Sequence, residues 1–200
     1  MTRLGVLVSG QGSNLRALYA AIQAGRVPAT VALVGADREA PALTWAREQG
    51  LATFLADARA LGRAAFEESL GRALDAAQVE ALVLAGFLRV LSPALVARYP
   101  DRILNVHPSL LPAFPGLDAI GQALAHGVRV TGVTVHLVSA ELDAGPIVLQ
   151  EPVAVDPAEG RAAVEARVHA VEHRLLPEAV RLLCEGRIRT RGRIVDIVEG

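Results

Sequence analysis

The chain has no lysine; all 20 of its basic residues are arginine. That excludes Schiff-base chemistry on lysine, pyridoxal phosphate attachment and a phosphate loop of the GK[ST] type. Cysteine occurs once, at Cys184, so no internal disulfide can form, and its place in the helical run AVRLLCEG points to packing rather than nucleophilic use. No apolar run approaches the ~18–20 residues that cross a bilayer. The apolar start LGVLVS ends in a glycine-rich turn with no cleavage pattern, which points to a first strand in a cytoplasmic chain. A net charge of −1 argues against a basic surface for nucleic acid. Asparagine is scarce as well: only Asn14 and Asn105 occur, in the two most irregular loops.

What is present reads as one α/β domain. At 200 residues and 52% apolar content, the chain can bury a substantial core without disulfides or metals. Short apolar runs at Leu4–Ser9, Thr30–Ala36, Ala52–Leu55, Ala81–Gly86 and Arg102–His107 suit strands covered on both faces. Helical segments at Leu15–Ala24, Ala42–Gln49, Arg63–Ala77 and Pro93–Tyr99 alternate with them. This order predicts right-handed βαβ units, a mainly parallel twisted sheet and flanking helices in a Rossmann-like arrangement. After the proline-rich loop, RVTGVTVHLV and PIVLQEPVAV alternate more and predict an antiparallel strand pair on the same sheet. Val164, Val168, Val171, Leu175, Ala179 and Leu183 give an apolar stripe to a helix from about Arg161 to Glu185, with a kink expected near His173 from Pro177. The residues beyond Gly186 read as a short polar tail.

Two loops carry chemistry. SGQGSN, Ser9–Asn14, leaves the first strand and opens the first helix, where free N–H groups attract anions. It reads either as a phosphate site built from Gly12, Ser13 and Asn14 or as a capped helix after a tight turn. A dinucleotide site is the rival, with Asp37 after the second strand, but Leu15 stands where the third glycine of G-x-G-x-x-G belongs. The second loop is NVHPSLLPAFPG. A period of two puts Asn105 and His107 on one face at the carboxyl end of a strand, the edge where open α/β sheets bind ligands. The alternative is a strand end with a satisfied histidine.

NVHPSLLPAFPG, VTGVTVHLVSAELDAGPIV and VLAGFLRVLSP, together with SGQGSNL, resemble the hallmark blocks of the folate-dependent formyltransferases. The resemblance spans Leu4 to Glu185. It implies transfer of a formyl group from the cosubstrate 10-formyltetrahydrofolate to the amine of glycinamide ribonucleotide, with no metal. A sugar-nucleotide amine is the alternative acceptor. It also implies halves at 1–100 (phosphate-binding) and 101–186 (catalytic and folate-binding), with 187–200 as tail. Partners are then small molecules only, with no nucleic acid and no membrane, in a monomer or homodimer.

By the same resemblance, Asn105 and protonated His107 donate to the oxyanion, and Asp143 keeps the imidazole charged and relays a proton. Asp143 can equally be an ordinary turn aspartate before glycine. His136 takes a supporting place around the site or is a half-buried strand histidine. Leu88, Arg89, Val90 and Leu91 line one pterin wall, and Ser139, Ala140, Glu141, Leu142 and Asp143 the other, with Asn105 between. Arg63 suits the folate's glutamate tail, and Glu172 the ribose hydroxyls. Asp118 and Ile120 depart from relatives that carry histidine in that segment, as does Ala113 from a polar or basic residue.

Overall fold

The computed structural model describes residues 1–199. Among these, nine strands and seven helices follow one another as β1 (Thr2–Val8), α1 (Ser13–Gln23), β2 (Ala29–Ala36), α2 (Pro41–Glu48), β3 (Thr53–Leu55), α3 (Ala58–Leu61) and α4 (Arg63–Ala76). They continue through β4 (Ala81–Leu84), α5 (Pro93–Ala97), β5 (Ile103–His107), α6 (Ala119–Ala125), β6 (Val130–Leu137), β7 (Ile147–Ala154), α7 (Arg161–Cys184), β8 (Ile188–Arg191) and β9 (Ile194–Ile197).

The main sheet has the order β3-β2-β1-β4-β5-β6-β7. Its pairs are parallel from β3 to β5, and β6 and β7 then run antiparallel, as their alternating sequence predicts. β1 is the strand from which the chain winds first toward β2 and later toward β4. Loops leaving the carboxyl ends of β1 and β4 therefore diverge and leave a crevice between them. The Ser9 amide donates to the Gly86 carbonyl at 3.2 Å at the root of that crevice.

Both sheet faces are covered, which explains the nearly continuous apolar strands. Leu4, Val6 and Val8 of β1 pack with Leu15 and Leu18 of α1, Leu43 of α2 and Val168 of α7. The intervening Leu7 packs on the other face with Phe66, Leu70 and Leu74 of α4 and Leu95 of α5. The predicted stripe of α7 is buried, and α7 remains one continuous helix through the buried Pro177. Cys184 is half-buried against this core, and burial raises its thiol pKa, as suits a packing residue.

Two short helices, α3 and α6, add to the expected elements; at four and seven residues they are too short to show a helical period, and Asp57 and Asp118 start them by accepting from backbone amides. The short polar tail expected after Gly186 is folded. Ile188–Arg191 pairs antiparallel with Ile194–Ile197 around Gly192, which takes φ +64°. The alternation of Ile188, Thr190, Val195 and Ile197 about that glycine was the available signal.

Candidate active site

The crevice opens into a cavity of about 720 Å³ whose walls include the loop after β1, the loop after β4, the end of β5, the β6–β7 turn and one face of α7. A more open depression of about 430 Å³ beside Arg16 and Trp45 holds none of the groups singled out above.

At one end lies the glycine-rich loop. Gly12 precedes α1 at φ +77°, and a Cβ there would fall 2.6 Å from the Ala42 Cβ, so only glycine lets α2 come this close. No side chain caps α1, which removes the capped-helix reading and leaves its first amides without a side-chain acceptor. Packing of α1 on α7 brings Asn14 to Glu172: the Asn14 Nδ2 donates to Glu172 Oε2 at 3.1 Å. Both side chains are buried, and Asn14 Oδ1 has no hydrogen-bond partner. His169, one turn earlier on α7, shares the same carboxylate oxygen through Nδ1 at 2.9 Å. That hydrogen bond to the Glu172 carboxylate raises the His169 pKa. The i, i+3 spacing of His169 and Glu172 was legible, but His169 was passed over.

The dinucleotide rival fails on the occupancy of Asp37. Its buried carboxylate accepts from Ser9 Oγ at 2.8 Å and from Arg38 at 2.8 Å, and lies 3.7 Å from Arg89 Nε. Burial opposes its ionisation, but the hydrogen bonds from Arg38 and Ser9 outweigh this and leave its pKa lowered. Ser9 Oγ also accepts from the Leu88 amide at 3.0 Å. Asp37 thus fastens the Leu88–Leu91 loop instead of facing a ribose.

That loop presents Leu88 and Val90, 57% and 47% exposed, opposite Leu142 at 55%. Leu91 is buried beneath them, and Arg89 is anchored to Asp37. Ser139, Glu141, Leu142 and Asp143 line the far wall; Ala140 is exposed and outside it. Arg63 is not brought to the cavity. It lies exposed at the start of α4, 3.4 Å from Glu67, whose carboxylate accepts the Ser92 amide at 2.8 Å.

At the centre, β5 delivers Asn105 and His107 from one face. Register sets Asn105 opposite His136 and His107 opposite Thr134. The His136 Nδ1 lies 3.0 Å from the Leu137 carbonyl, an acceptor, so Nδ1 carries the proton and Nε2 is free to accept. Burial lowers the His136 pKa, keeping the ring neutral near pH 7. Asn105 Nδ2 lies 3.1 Å from that Nε2. One amide hydrogen is thereby committed and the other is free to donate into the cavity. The 3.7 Å approach of His136 Nε2 to Asp143 is consequently not an ion pair.

His107 is fixed by the same logic. Its Nε2 lies 2.8 Å from the Phe114 carbonyl and must be the protonated nitrogen of the neutral ring, which leaves Nδ1 facing Asp143 Oδ2 at 3.5 Å. That separation exceeds a direct hydrogen bond. Asp143 instead accepts the Gly116 amide at 2.7 Å. Phe114, Asp118 and Asp143 all have positive φ, at +52°, +55° and +49°. Non-glycine residues held there cost about 1–3 kcal/mol each and persist only when their surroundings fix them.

The Formyl transferase family model matches residues 2–180. The chain belongs to the formyl transferase family. Phosphoribosylglycinamide formyltransferase of Mycobacterium tuberculosis is 44% identical to this formyltransferase, covering 98% of this chain and 94% of the relative. The enzyme of the same name from Escherichia coli is 40% identical over 92% and 88%. Among solved structures, glycinamide ribonucleotide transformylase 1 from Symbiobacterium toebii superposes with a TM-score of 0.96 at 46% identity, covering 100% and 95%. A formyltetrahydrofolate deformylase from Pseudomonas syringae shares the fold at 24% identity, with a TM-score of 0.91. The mainly parallel sheet with antiparallel β6 and β7 is thus the family's fold. No helix among the described residues is long and apolar enough to cross a membrane, and no cluster there could hold a metal ion.

Proposed function

We propose that this formyltransferase moves the formyl group of 10-formyltetrahydrofolate to the amino group of 5-phosphoribosylglycinamide, a step of purine biosynthesis. The observation that carries the proposal is one cavity that joins the Asn105–His107–Asp143 group to the buried Asn14–Glu172 pair. The near full-length relatives that bear this activity in their names support it.

The reaction forms a bond between the acceptor amine and the formyl carbon, breaks the bond to N10 of the folate, and moves one proton from amine to N10. Asn105 donates its free amide hydrogen to the formyl oxygen as negative charge develops there. His107 donates from Nδ1 when protonated, because Nε2 is held by Phe114. Asp143 takes up the amine proton through a bridging water and returns it by the same route to N10 as the bond to the folate breaks. His136 acts through Asn105 as a positioning residue.

Leu88, Val90 and Leu142 are exposed aliphatic groups around one cavity, an arrangement that suits the flat faces of a heteroaromatic ring such as the pterin. Leu91 and the anchored Arg89 hold that wall, and Ser139 and Glu141 complete the other. The Gly12, Ser13 and Asn14 amides suit the acceptor's phosphate. Glu172 accepts from ribose hydroxyls. Arg63 reaches a folate tail only where it extends beyond the cavity, along α4.

Incubation with 10-formyltetrahydrofolate and glycinamide ribonucleotide, beside amino-sugar nucleotides, tests the assignment. Formyl transfer to the sugar nucleotides alone overturns the acceptor. In the same assay Glu172→Gln is expected to raise KM for glycinamide ribonucleotide at least tenfold, with the donor KM within about threefold, because it exchanges an acceptor for an amide in a buried pair. An unchanged acceptor KM removes Glu172 from the acceptor site.

A further inference from the structure

The two backbone groups that shape the catalytic pair both come from the segment 114–118: the Phe114 carbonyl on His107 and the Gly116 amide on Asp143. We propose that Gln122 of α6 is a positioning residue that clamps this segment and so sets the geometry of His107 and Asp143. Its Nε2 donates one hydrogen to the Pro115 carbonyl at 3.1 Å and the other to the Leu117 carbonyl at 2.9 Å. These carbonyls flank Gly116. Both amide hydrogens of one side chain are thus spent curling the chain around the residue whose N–H points at Asp143.

The rest of α6 serves the same loop. Asp118 begins the helix by accepting from the Gly121 amide at 3.3 Å, and Arg161 of α7 pairs with its carboxylate at 2.6 Å. His126, at the other end of α6, meets the Phe114 ring edge to face at 5.4 Å. Phe114 and Asp118, the two non-glycine residues of the segment with positive φ, are therefore each held from α6, and Gln122 holds the span between them. The Asp118–Arg161 pair is exposed at the rim, where ion pairs contribute little, so the half-buried Gln122 is the stronger fastening. The segment that departs from the relatives at Asp118 and Ile120 thereby acquires a role: it is the start of the helix that carries the clamp.

The kinetic arm rests on the acceptor assignment above; the spectroscopic arm does not. Gln122→Leu keeps the side chain's bulk and removes both donors. We expect kcat to fall about ten- to a hundredfold, with both KM values within about threefold and Tm within a few degrees. In long-range ¹H–¹⁵N spectra of the ligand-free protein, neutral His107 should be one Nε2–H tautomer in the wild type and a mixture in Gln122→Leu. An unchanged tautomer with unchanged kcat overturns the clamp, and so does a loss confined to KM. If Gln122→Leu does not fold, Gln122→Glu, which sets acceptors against both carbonyls, decides by the same readouts. A wild type that fails to formylate glycinamide ribonucleotide refutes the acceptor while leaving the tautomer measurement to decide the clamp.

Discussion

Asp143→Asn is expected to lower kcat roughly 10²–10⁴-fold, the range of a lost acid–base group, while the KM for either substrate changes less than about threefold. The substitution is nearly isosteric. An asparagine Oδ1 can still accept the Gly116 amide that Asp143 holds at 2.7 Å, so the turn and its positive φ should survive and Tm should move only a few degrees. What disappears is the negative charge 3.5 Å from His107 Nδ1 and the base that receives the amine proton. Near wild-type turnover would show that Asp143 is only a turn aspartate bound to a glycine amide.

Asn105 and His107 could be placed on a shared face before any coordinates because strand side chains alternate, and the run RILNVH ends where β5 ends. Asp143 could be found by family resemblance, yet its distance from His107 could not, since β6 and β7 bring the turn back by an antiparallel pairing that spans many residues. The tautomers were invisible for a different reason. Phe114 and Leu137 act through their carbonyls, and a backbone carbonyl has no signature in sequence. The same holds for the segment around Gly116, which looked like a divergent stretch when judged by side chains. Arg63 carries the charge the folate tail needs, but its place could not be read: α4 packs under the Leu88–Leu91 loop and sets it outside the cavity. Asp37 was legible as an acid just after the second strand. Only its three partners reveal that it holds a loop.

Asn105→Ala is expected to lower kcat roughly 10²–10³-fold, the equivalent of ~2.7–4 kcal/mol for one donor at a developing oxyanion. The side chain qualifies because it is already oriented. His136 is buried, neutral and fixed by the Leu137 carbonyl, and it accepts one Asn105 hydrogen at 3.1 Å, so the second hydrogen points the same way before and during reaction. An imidazolium at His136 would have no lone pair for that amide and would rotate it out of place, which is why its lowered pKa matters to function. His136→Leu removes only the orientation and should cost less, about tenfold, with little change in KM. The combination discriminates. If His136 works through Asn105, the double variant Asn105→Ala, His136→Leu should be no slower than Asn105→Ala alone; additive losses would mean that His136 reaches the reacting atoms by a separate route.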